Sequence, residues 1–348
     1  MKRQKPRLLL TTSPFIKSRE DTAFMMWQVN YALLPVVLAS IYFFGISAIL
    51  IMLVSIIGVV IPEWIYSKHK GTPVNTVRDG SALVTALLFA LTLPPGIPLW
   101  MAFVGALVAV LLGKLIFGGL GYNPFNPALV GRAFLQAAFP VAMTTWSPYG
   151  NLSNFFEIRG ANLAIPFLKA KVDAVTMATP LAQLKFDHQL TRLSDLVLGS
   201  TAGSLGETPA ILILLAGVYL ALRKVINWRI PVGIFLSVYL TTLVLHWLHP
   251  ERVPDPVFHL FAGGLMLGAV FMATDPVTSP ITQRGVWIFS AGIGFLVVII
   301  RVYGGLPEGV MYAILLMNAV TPLINQVAQP PIYGMRRKEA REKKRNAS

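Results

Sequence analysis

The sequence contains no cysteine, and this absence excludes several kinds of chemistry. A chain without thiols forms no disulfides, holds no thiolate-bound iron–sulfur cluster and performs no thiol catalysis. Charged residues are also scarce, because they make up only 13% of the 348 residues, about half the share that is usual in soluble proteins. Any redox chemistry of this chain therefore needs an organic cofactor or a partner protein.

Hydrophobic residues, by contrast, make up 55% of the chain, and the mean hydropathy is +0.65. Most of them lie in apolar runs of roughly 17–22 residues, which is the length that crosses a hydrocarbon core of about 30 Å. We therefore predict an all-α integral membrane protein with about ten transmembrane helices. The predicted spans are 24–45, 47–66, 80–94, 98–117, 127–144, 209–223, 231–248, 257–273, 285–302 and 308–326.

The net charge of +14 is explained by topology better than by nucleic-acid binding, which we do not predict. Lysine and arginine cluster in both terminal tails, between spans two and three and between spans six and seven. An even number of spans places these four clusters on one side, and the positive-inside rule assigns that side to the cytoplasm. Both termini are then cytoplasmic, and residues 145–208 lie outside the cell membrane of a bacterium or archaeon.

Two similar tetrapeptides indicate an internal repeat. Phe117-Gly118-Gly119-Leu120 follows span four, and Tyr303-Gly304-Gly305-Leu306 follows span nine. With five spans in each half, corresponding spans run in opposite directions, as in an inverted repeat. A chance match of Gly-Gly pairs is the alternative. The predicted segments are a basic tail (1–23), a first repeat (24–144), an outer loop (145–208), a second repeat (209–326) and a second basic tail (327–348).

The outer loop contains the polar segment Asp173-Ala-Val-Thr176-Met-Ala178-Thr179-Pro180. Its threonines and proline are compatible with an ordinary loop, because a residue that precedes proline is restricted to extended conformations. The pattern D-x-x-[ST]-x-A-T, however, resembles the site at which a flavin transferase esterifies the last threonine with FMN. That resemblance predicts a covalent flavin on Thr179, with Asp173, Thr176 and Ala178 as the recognition motif.

Three polar residues lie near proline-interrupted ends of spans, namely Asn123, Asn126 and Asp275. Free carbonyls and polar side chains at such breaks mark ligand sites near the midplane of transporters. We predict that the three residues line one central site for a flavin or a coupling cation. The alternative is helix capping, which is the favoured role for Asn123 and equally plausible for Asn126.

Four ionisable residues lie within spans or at their ends: Lys114, Arg132, Arg301 and Glu308. Charges in a membrane are costly and are therefore functional candidates. For Lys114 and Arg301 we expect the side chain to extend to the interface instead. His246 and His249 have no third ligand nearby, so we predict no metal site, and we assign no catalytic residue.

Several features together resemble one family of membrane subunits. They are the ten spans, the threonine motif, Asn123-Pro-Phe-Asn-Pro127, Thr274-Asp-Pro-Val-Thr278 and Asn318-Ala-Val-Thr-Pro322. The family includes the D-type subunit of the Rnf complex and the related B-type subunit of the Na+-pumping NADH:quinone reductase. The resemblance covers nearly the whole chain.

The resemblance implies a subunit of an ion-translocating (Na+ or H+) ferredoxin:NAD+ oxidoreductase that is not catalytic alone. It implies FMN in phosphoester linkage to Thr179 and a second, noncovalent flavin (riboflavin or FMN). The implied partners are other Rnf-type subunits that bear flavins and iron–sulfur clusters, a flavin transferase for maturation, and the lipid bilayer. The alternatives are an inverted-repeat solute channel or transporter without a redox role, and a cofactor-free assembly scaffold.

Overall fold

The structure is a computed structural model, and it describes residues 21–70, 78–150, 154–166, 177–207, 210–251 and 253–329. Within these ranges the regular secondary structure is helical and includes no β-strand. The predicted all-α membrane fold is confirmed, because several helices are long and apolar enough to cross a bilayer.

Fourteen α-helices occur in the described residues. They are α1 (Thr22–Phe44), α2 (Ile46–Lys70), α3 (Ser81–Leu91), α4 (Leu99–Gly113), α5 (Pro127–Ala138), α6 (Pro140–Thr144), α7 (Pro180–Ala182), α8 (Leu193–Leu198), α9 (Ala210–Leu222), α10 (Arg229–Leu248), α11 (Pro256–Phe261), α12 (Leu265–Leu267), α13 (Gln283–Tyr303) and α14 (Val310–Val327). A π-helical turn, Gln183–Asp187, continues α7, and another, Gly268–Met272, continues α12.

Among the described helices, five combine the length and the composition of a membrane span, namely α1, α2, α10, α13 and α14. Helices α3, α4 and α9 are apolar but shorter. The prediction of ten full-length transmembrane helices is therefore not confirmed, although each of the ten predicted spans contains helix. The complete number of spans stays a prediction.

Two of the predicted spans are interrupted by identifiable residues. In 127–144 the break is at Phe139, which precedes Pro140 and has the non-helical φ/ψ of −133° and 59°, as the residue before proline usually does. In 257–273 the break follows α11, where Gly263 has φ of +68°, a conformation that favours glycine. Both breaks leave backbone groups that need partners within the protein.

The two halves pack their helices in a similar pattern. In the first half, α2 packs against α4 and α4 packs against α5. In the second half, α10 packs against α13 and α13 packs against α14. The halves contact each other through α1 with α9 and through α5 with α14. This pattern is compatible with the predicted inverted repeat, which stays a prediction.

The segment before α9 is bonded to the end of α3, where Pro94 and Pro95 stop the helix. The amide of Leu205 donates to the Leu93 carbonyl at 3.1 Å, and the amide of Gly206 donates to the Leu91 carbonyl at 2.7 Å. These bonds satisfy carbonyls at the C-terminus of α3. They also hold Glu207, the next residue, against the interior of the protein.

Candidate functional site

Thr179 occupies the N-cap position of the short helix α7. Its backbone is extended, with φ of −68° and ψ of 158°, because Pro180 follows it. The hydroxyl oxygen accepts a hydrogen bond from the Ala182 amide at 3.2 Å, as N-cap threonines commonly do. The residue is 2% exposed, so the predicted acceptor hydroxyl lies inside the packed protein.

A cavity of about 620 Å³ adjoins Thr179. Its volume is within the range of about 300–1,000 Å³ that small-molecule and cofactor sites occupy. Arg132 and Glu308 contribute charged groups to the wall, and Ala178 lies on the wall beside Thr179. Half of the remaining lining residues have aromatic or thioether side chains: Trp146, Phe186, Tyr312, Met143, Met177 and Met311. Flat apolar side chains and a few polar groups are typical of a site for a planar organic ligand.

The other two residues of the motif, Asp173 and Thr176, lie outside the described residues. Their predicted role in recognition by a transferase therefore stays a prediction. The motif also gave no indication of which residues surround Thr179. The cavity combines residues from α5, α6, the segment 177–186 and the loop before α14.

Lys185 holds the segment that contains Thr179 against the rest of the protein. Its ammonium group donates to the carbonyls of Arg301 and Leu306, each at 3.3 Å, and also to that of Gly304. These carbonyls lie at and beyond the C-terminal end of α13, where backbone acceptors have no intrahelical partner and attract cations. Lys185 thus connects the segment that contains Thr179 to the loop before α14, and both contribute residues to the cavity.

We expect Lys185→Met to loosen this connection, because methionine keeps the aliphatic length and removes all three donors. Limited proteolysis should cut the 177–187 segment several times faster in this variant than in the native protein. Lys224→Met, which removes an exposed lysine far along the chain, is the matched control. Equal cleavage rates in all three proteins would contradict the role assigned to Lys185.

At the wall of the cavity, Arg132 of α5 forms an ion pair with Glu308 at 2.6 Å. Arg301 lies nearby and donates to the backbone carbonyls of His259 at 2.6 Å and Ala262 at 2.8 Å. Arg301 is only 4% exposed, so the expectation that it extends to the membrane interface is wrong. The broken backbone around α11 provides inward-facing carbonyls, and these satisfy the guanidinium better than lipid headgroups at a distance.

The structure also brings Asn123, Asn126 and Asp275 together, around a second cavity of about 80 Å³. Asp275 accepts from the Val277 amide at 3.1 Å, and Asn123 and Lys114 lie close enough to act on its carboxylate. Such a volume admits a few water molecules or a small ion. It is too small for an isoalloxazine ring.

Helix α5 begins at Pro127, and Asn126 is its N-cap. The side-chain oxygen of Asn126, Oδ1, accepts from the backbone amides of Ala128 and Leu129. Its side-chain nitrogen, Nδ2, donates to the Met272 carbonyl at 3.2 Å. Asn126 therefore caps a helix and also contacts the opposite half of the chain. The favoured capping role of Asn123 is wrong, because its side chain donates to the Phe125 carbonyl at 3.1 Å and does not cap α5.

Lys114 does not extend to the membrane surface as expected, because it is only 1% exposed. Its ammonium group forms an ion pair with Glu63 of α2 at 2.6 Å and donates to the Ser81 hydroxyl at 3.1 Å. Glu63 was not among the ionisable residues singled out from the sequence, although a lone glutamate in an apolar run is a detectable signal. A buried cation requires such a partner, since the desolvation cost is otherwise uncompensated.

The predicted absence of a metal site stays a prediction. Among the described ranges, no group of three or more His, Asp or Glu side chains is arranged to hold a metal ion. The His246 ring contacts the Val253 carbonyl through Nδ1 at 2.6 Å, and this contact orients the ring.

Comparison with known proteins relates this chain to one family of membrane subunits. Residues 9–334 match the model of the NQR2, RnfD, RnfE family. The chain is 42% identical to the D subunit of the proton-translocating ferredoxin:NAD(+) oxidoreductase complex of Clostridium ljungdahlii, over 94% of this chain and 96% of the relative. It is 40% identical to the D subunit of the Na(+)-translocating ferredoxin:NAD(+) oxidoreductase complex of Acetobacterium woodii, with the same coverage.

A third relative, the D subunit of the ion-translocating oxidoreductase complex of Sodalis glossinidius, is 39% identical over 94% of this chain and 99% of its own length. The match to the family model extends over nearly the whole sequence. This chain therefore belongs to the NQR2, RnfD, RnfE family.

Proposed function

We propose that this chain is the D-type subunit of an ion-translocating ferredoxin:NAD+ oxidoreductase and carries FMN in phosphoester linkage to Thr179. The relatives whose names describe such a subunit match it over almost their entire lengths. The observation that carries the cofactor assignment is the position of Thr179. The last threonine of the motif lies on the wall of a cavity of about 620 Å³, and this volume suits an organic cofactor.

The residues of this cavity fit a flavin. Trp146, Phe186 and Tyr312 offer aromatic surface for a planar ring, and Arg132 offers positive charge near the wall. When bound, a flavin accepts one or two electrons and so can relay electrons between iron–sulfur centres of partner subunits. Thr179 supplies a covalent tether, which keeps the group at high effective concentration through repeated cycles.

The flavin transferase that we propose as maturation partner needs access to the Thr179 hydroxyl. Since Thr179 is 2% exposed and its hydroxyl oxygen accepts from Ala182, we infer that modification precedes the packing of residues 177–187. An alternative order, in which the packed segment opens first, requires the Lys185 contacts to break.

In-gel fluorescence tests the proposed function. The chain is expressed with a flavin transferase, denatured and viewed under ultraviolet light. A fluorescent band at the mass of this polypeptide supports covalent flavin attachment, whereas a dark band contradicts it. The solute-channel and scaffold alternatives both predict a dark band.

We also propose that both termini are cytoplasmic and that residues 145–208 lie outside. The absence of native cysteine makes accessibility labelling unambiguous. A cysteine that replaces the exposed Glu157 should react with a membrane-impermeant reagent in intact cells. A cysteine that replaces Lys68, exposed at the end of α2, should react only after the cells are lysed. The reverse pattern would overturn this topology.

We further propose that Asn126 and Asp275 contribute to a coupling-cation site in the cavity of about 80 Å³. A carboxylate beside amide and backbone carbonyl oxygens suits a hard cation. The second, noncovalent flavin needs more space, and an adjacent cavity of about 900 Å³ between Tyr122 and Glu63 provides it.

We expect Asp275→Ala and Asn126→Ala each to leave assembly and the Thr179 flavin intact and to abolish ion-coupled electron transfer. If Asp275 only supports its local turn, alanine costs about 1 kcal/mol of stability and leaves coupling unchanged. Ion uptake into vesicles that contain the purified complex distinguishes these results. Asp255→Ala, which removes an exposed helix cap elsewhere, is the matched control.

A further inference from the structure

Four charged side chains from separate elements converge at the wall of the Thr179 cavity and beside it. Glu207 precedes α9, Arg132 is on α5, Arg301 is near the end of α13, and Glu308 lies in the loop before α14. Arg132 pairs with one oxygen of Glu308, Oε2, at 2.6 Å. One oxygen of Glu207, also Oε2, accepts from the Ser204 amide at 3.2 Å. Each glutamate therefore has one oxygen with a donor.

The second oxygen of each glutamate is enclosed and lacks a donor among the described residues. Oε1 of Glu207 and Oε1 of Glu308 both have this property. A turn of two glycines covers them, since a Cβ on Gly264 would lie 3.2 Å from the first oxygen and a Cβ on Gly263 would lie 3.4 Å from the second. Enclosed acceptors without a donor are rare in native proteins and require an explanation.

The two unpartnered oxygens face adjacent glycines of one turn, and each carboxyl group acts on the other. Two ionised carboxylates offer only acceptors, so they repel each other and cannot form a hydrogen bond. One proton between them supplies the donor that both oxygens lack. We propose that Glu207 and Glu308 share one proton and form a proton-binding site that is coupled electrostatically to the cavity at Thr179.

Burial and the neighbouring Glu308 raise the pKa of Glu207 to about 8, while Arg132 and Ser204 oppose the rise. The other charged group that faces the pair is Arg301, on α13. His259, whose ring nitrogens have no partner among the described residues, lies beside Arg301. Below about pH 8 the cluster therefore holds two arginines against one carboxylate. Its net positive charge favours negative charge in the adjoining cavity.

The coupling half of this proposal rests on the proposed function. Electrons enter and leave the cavity through the redox partners of the complex, and the proton exchanges with water. Added negative charge in the cavity raises the affinity of the pair for its proton, and removal of that charge lowers it. By linkage, the reduction potential of the bound group depends on pH wherever the two states of the pair differ in protonation.

Infrared difference spectroscopy tests the proton site without any flavin at Thr179. The complex is prepared with Thr179→Ala and titrated from about pH 6 to about pH 10, a range that brackets the pKa of about 8. We expect the carbonyl stretch of a buried carboxylic acid to disappear across this range. It should be missing at all pH values when Glu207→Gln is added, and Glu207→Asp should restore a titrating band. Glu157→Gln, at an exposed glutamate, should leave the spectrum unchanged.

A titrating band that survives Glu207→Gln would overturn the assignment, as would the absence of any such band. Loss of the band on addition of Na+ at constant pH would also overturn it, because a cation and not a proton would then occupy the pair. These outcomes do not depend on whether Thr179 is flavinylated.

The coupling is tested separately in the flavinylated complex. The potential of the covalent flavin should fall more steeply with pH above about 8 in the native protein than in Glu207→Gln. Equal slopes in the two proteins would refute the coupling, even if the infrared band confirms the shared proton. A complex without covalent fluorescence refutes the proposed function and leaves the infrared result standing.

Discussion

Thr179→Ala is expected to abolish covalent flavin fluorescence completely while the protein still folds and inserts. The variant removes the only atom to which a phosphoester at this position can be attached. Its structural cost is small, since loss of an N-cap hydroxyl destabilises a protein by about 1 kcal/mol and α7 has only three residues. In-gel fluorescence and the yield of membrane-inserted protein measure the two effects separately.

Two further variants are controls for this result. Thr144→Ala alters another threonine on the wall of the same cavity. Its hydroxyl donates to the backbone carbonyls of Pro140 at 2.9 Å and Val141 at 3.3 Å, so fluorescence should be unchanged. Thr176→Ser keeps the hydroxyl that the motif accepts and should also remain fluorescent. Fluorescence that persists in Thr179→Ala would show that the flavin is attached elsewhere.

Lys114→Met is expected to destabilise the protein by about 3–5 kcal/mol, because it leaves the Glu63 carboxylate buried without its charge partner. Both residues are almost fully enclosed, at 1% exposed each, and one Glu63 oxygen, Oε2, already lacks a partner among the described residues. Glu63→Met should have a similar effect by leaving the Lys114 ammonium unpaired. Thermal denaturation of the purified complex in detergent measures both.

The double variant Lys114→Met/Glu63→Met distinguishes a charge effect from a packing effect. With both charges removed, most of the lost stability should return, since well-packed apolar residues often replace a buried ion pair at little cost. Lys68→Met, at an exposed position of the helix that bears Glu63, should change stability by less than about 0.5 kcal/mol. A double variant as unstable as the sum of the singles would contradict an ion-pair role.

Local sequence predicted the helical elements because membrane insertion depends on properties of consecutive residues. A bilayer stabilises a helix formed by an apolar run of sufficient length, whatever the position of the rest of the chain. The predicted runs 285–302 and 308–326 therefore closely match α13 and α14. The prolines and glycines also indicated breaks, because they constrain φ or remove a donor locally. The run 257–273 was less well predicted, since the chain divides it into α11, α12 and a π-helical turn, and partners within the protein, not lipid, make such a break possible.

The proposed flavin attachment at Thr179 was likewise suggested by adjacent residues, because modifying enzymes recognise short linear motifs. The residues that surround Thr179 could not be predicted in this way, since the cavity is formed by residues distant in sequence, including Arg132 and Glu308.

The roles of the buried charges were decided by tertiary structure alone. Lys114 and Arg301 lie near span ends in the sequence. In an isolated helix, the free energy of such a side chain is lower when it extends to the interface. Folding brings the carboxylate of Glu63, 51 positions away in the sequence, to Lys114. It also brings two inward-facing backbone carbonyls of a broken helix to Arg301. The proximity of Glu207 to Glu308 arises in the same way, because a charge in a membrane protein is stabilised by partners that only the fold brings within reach.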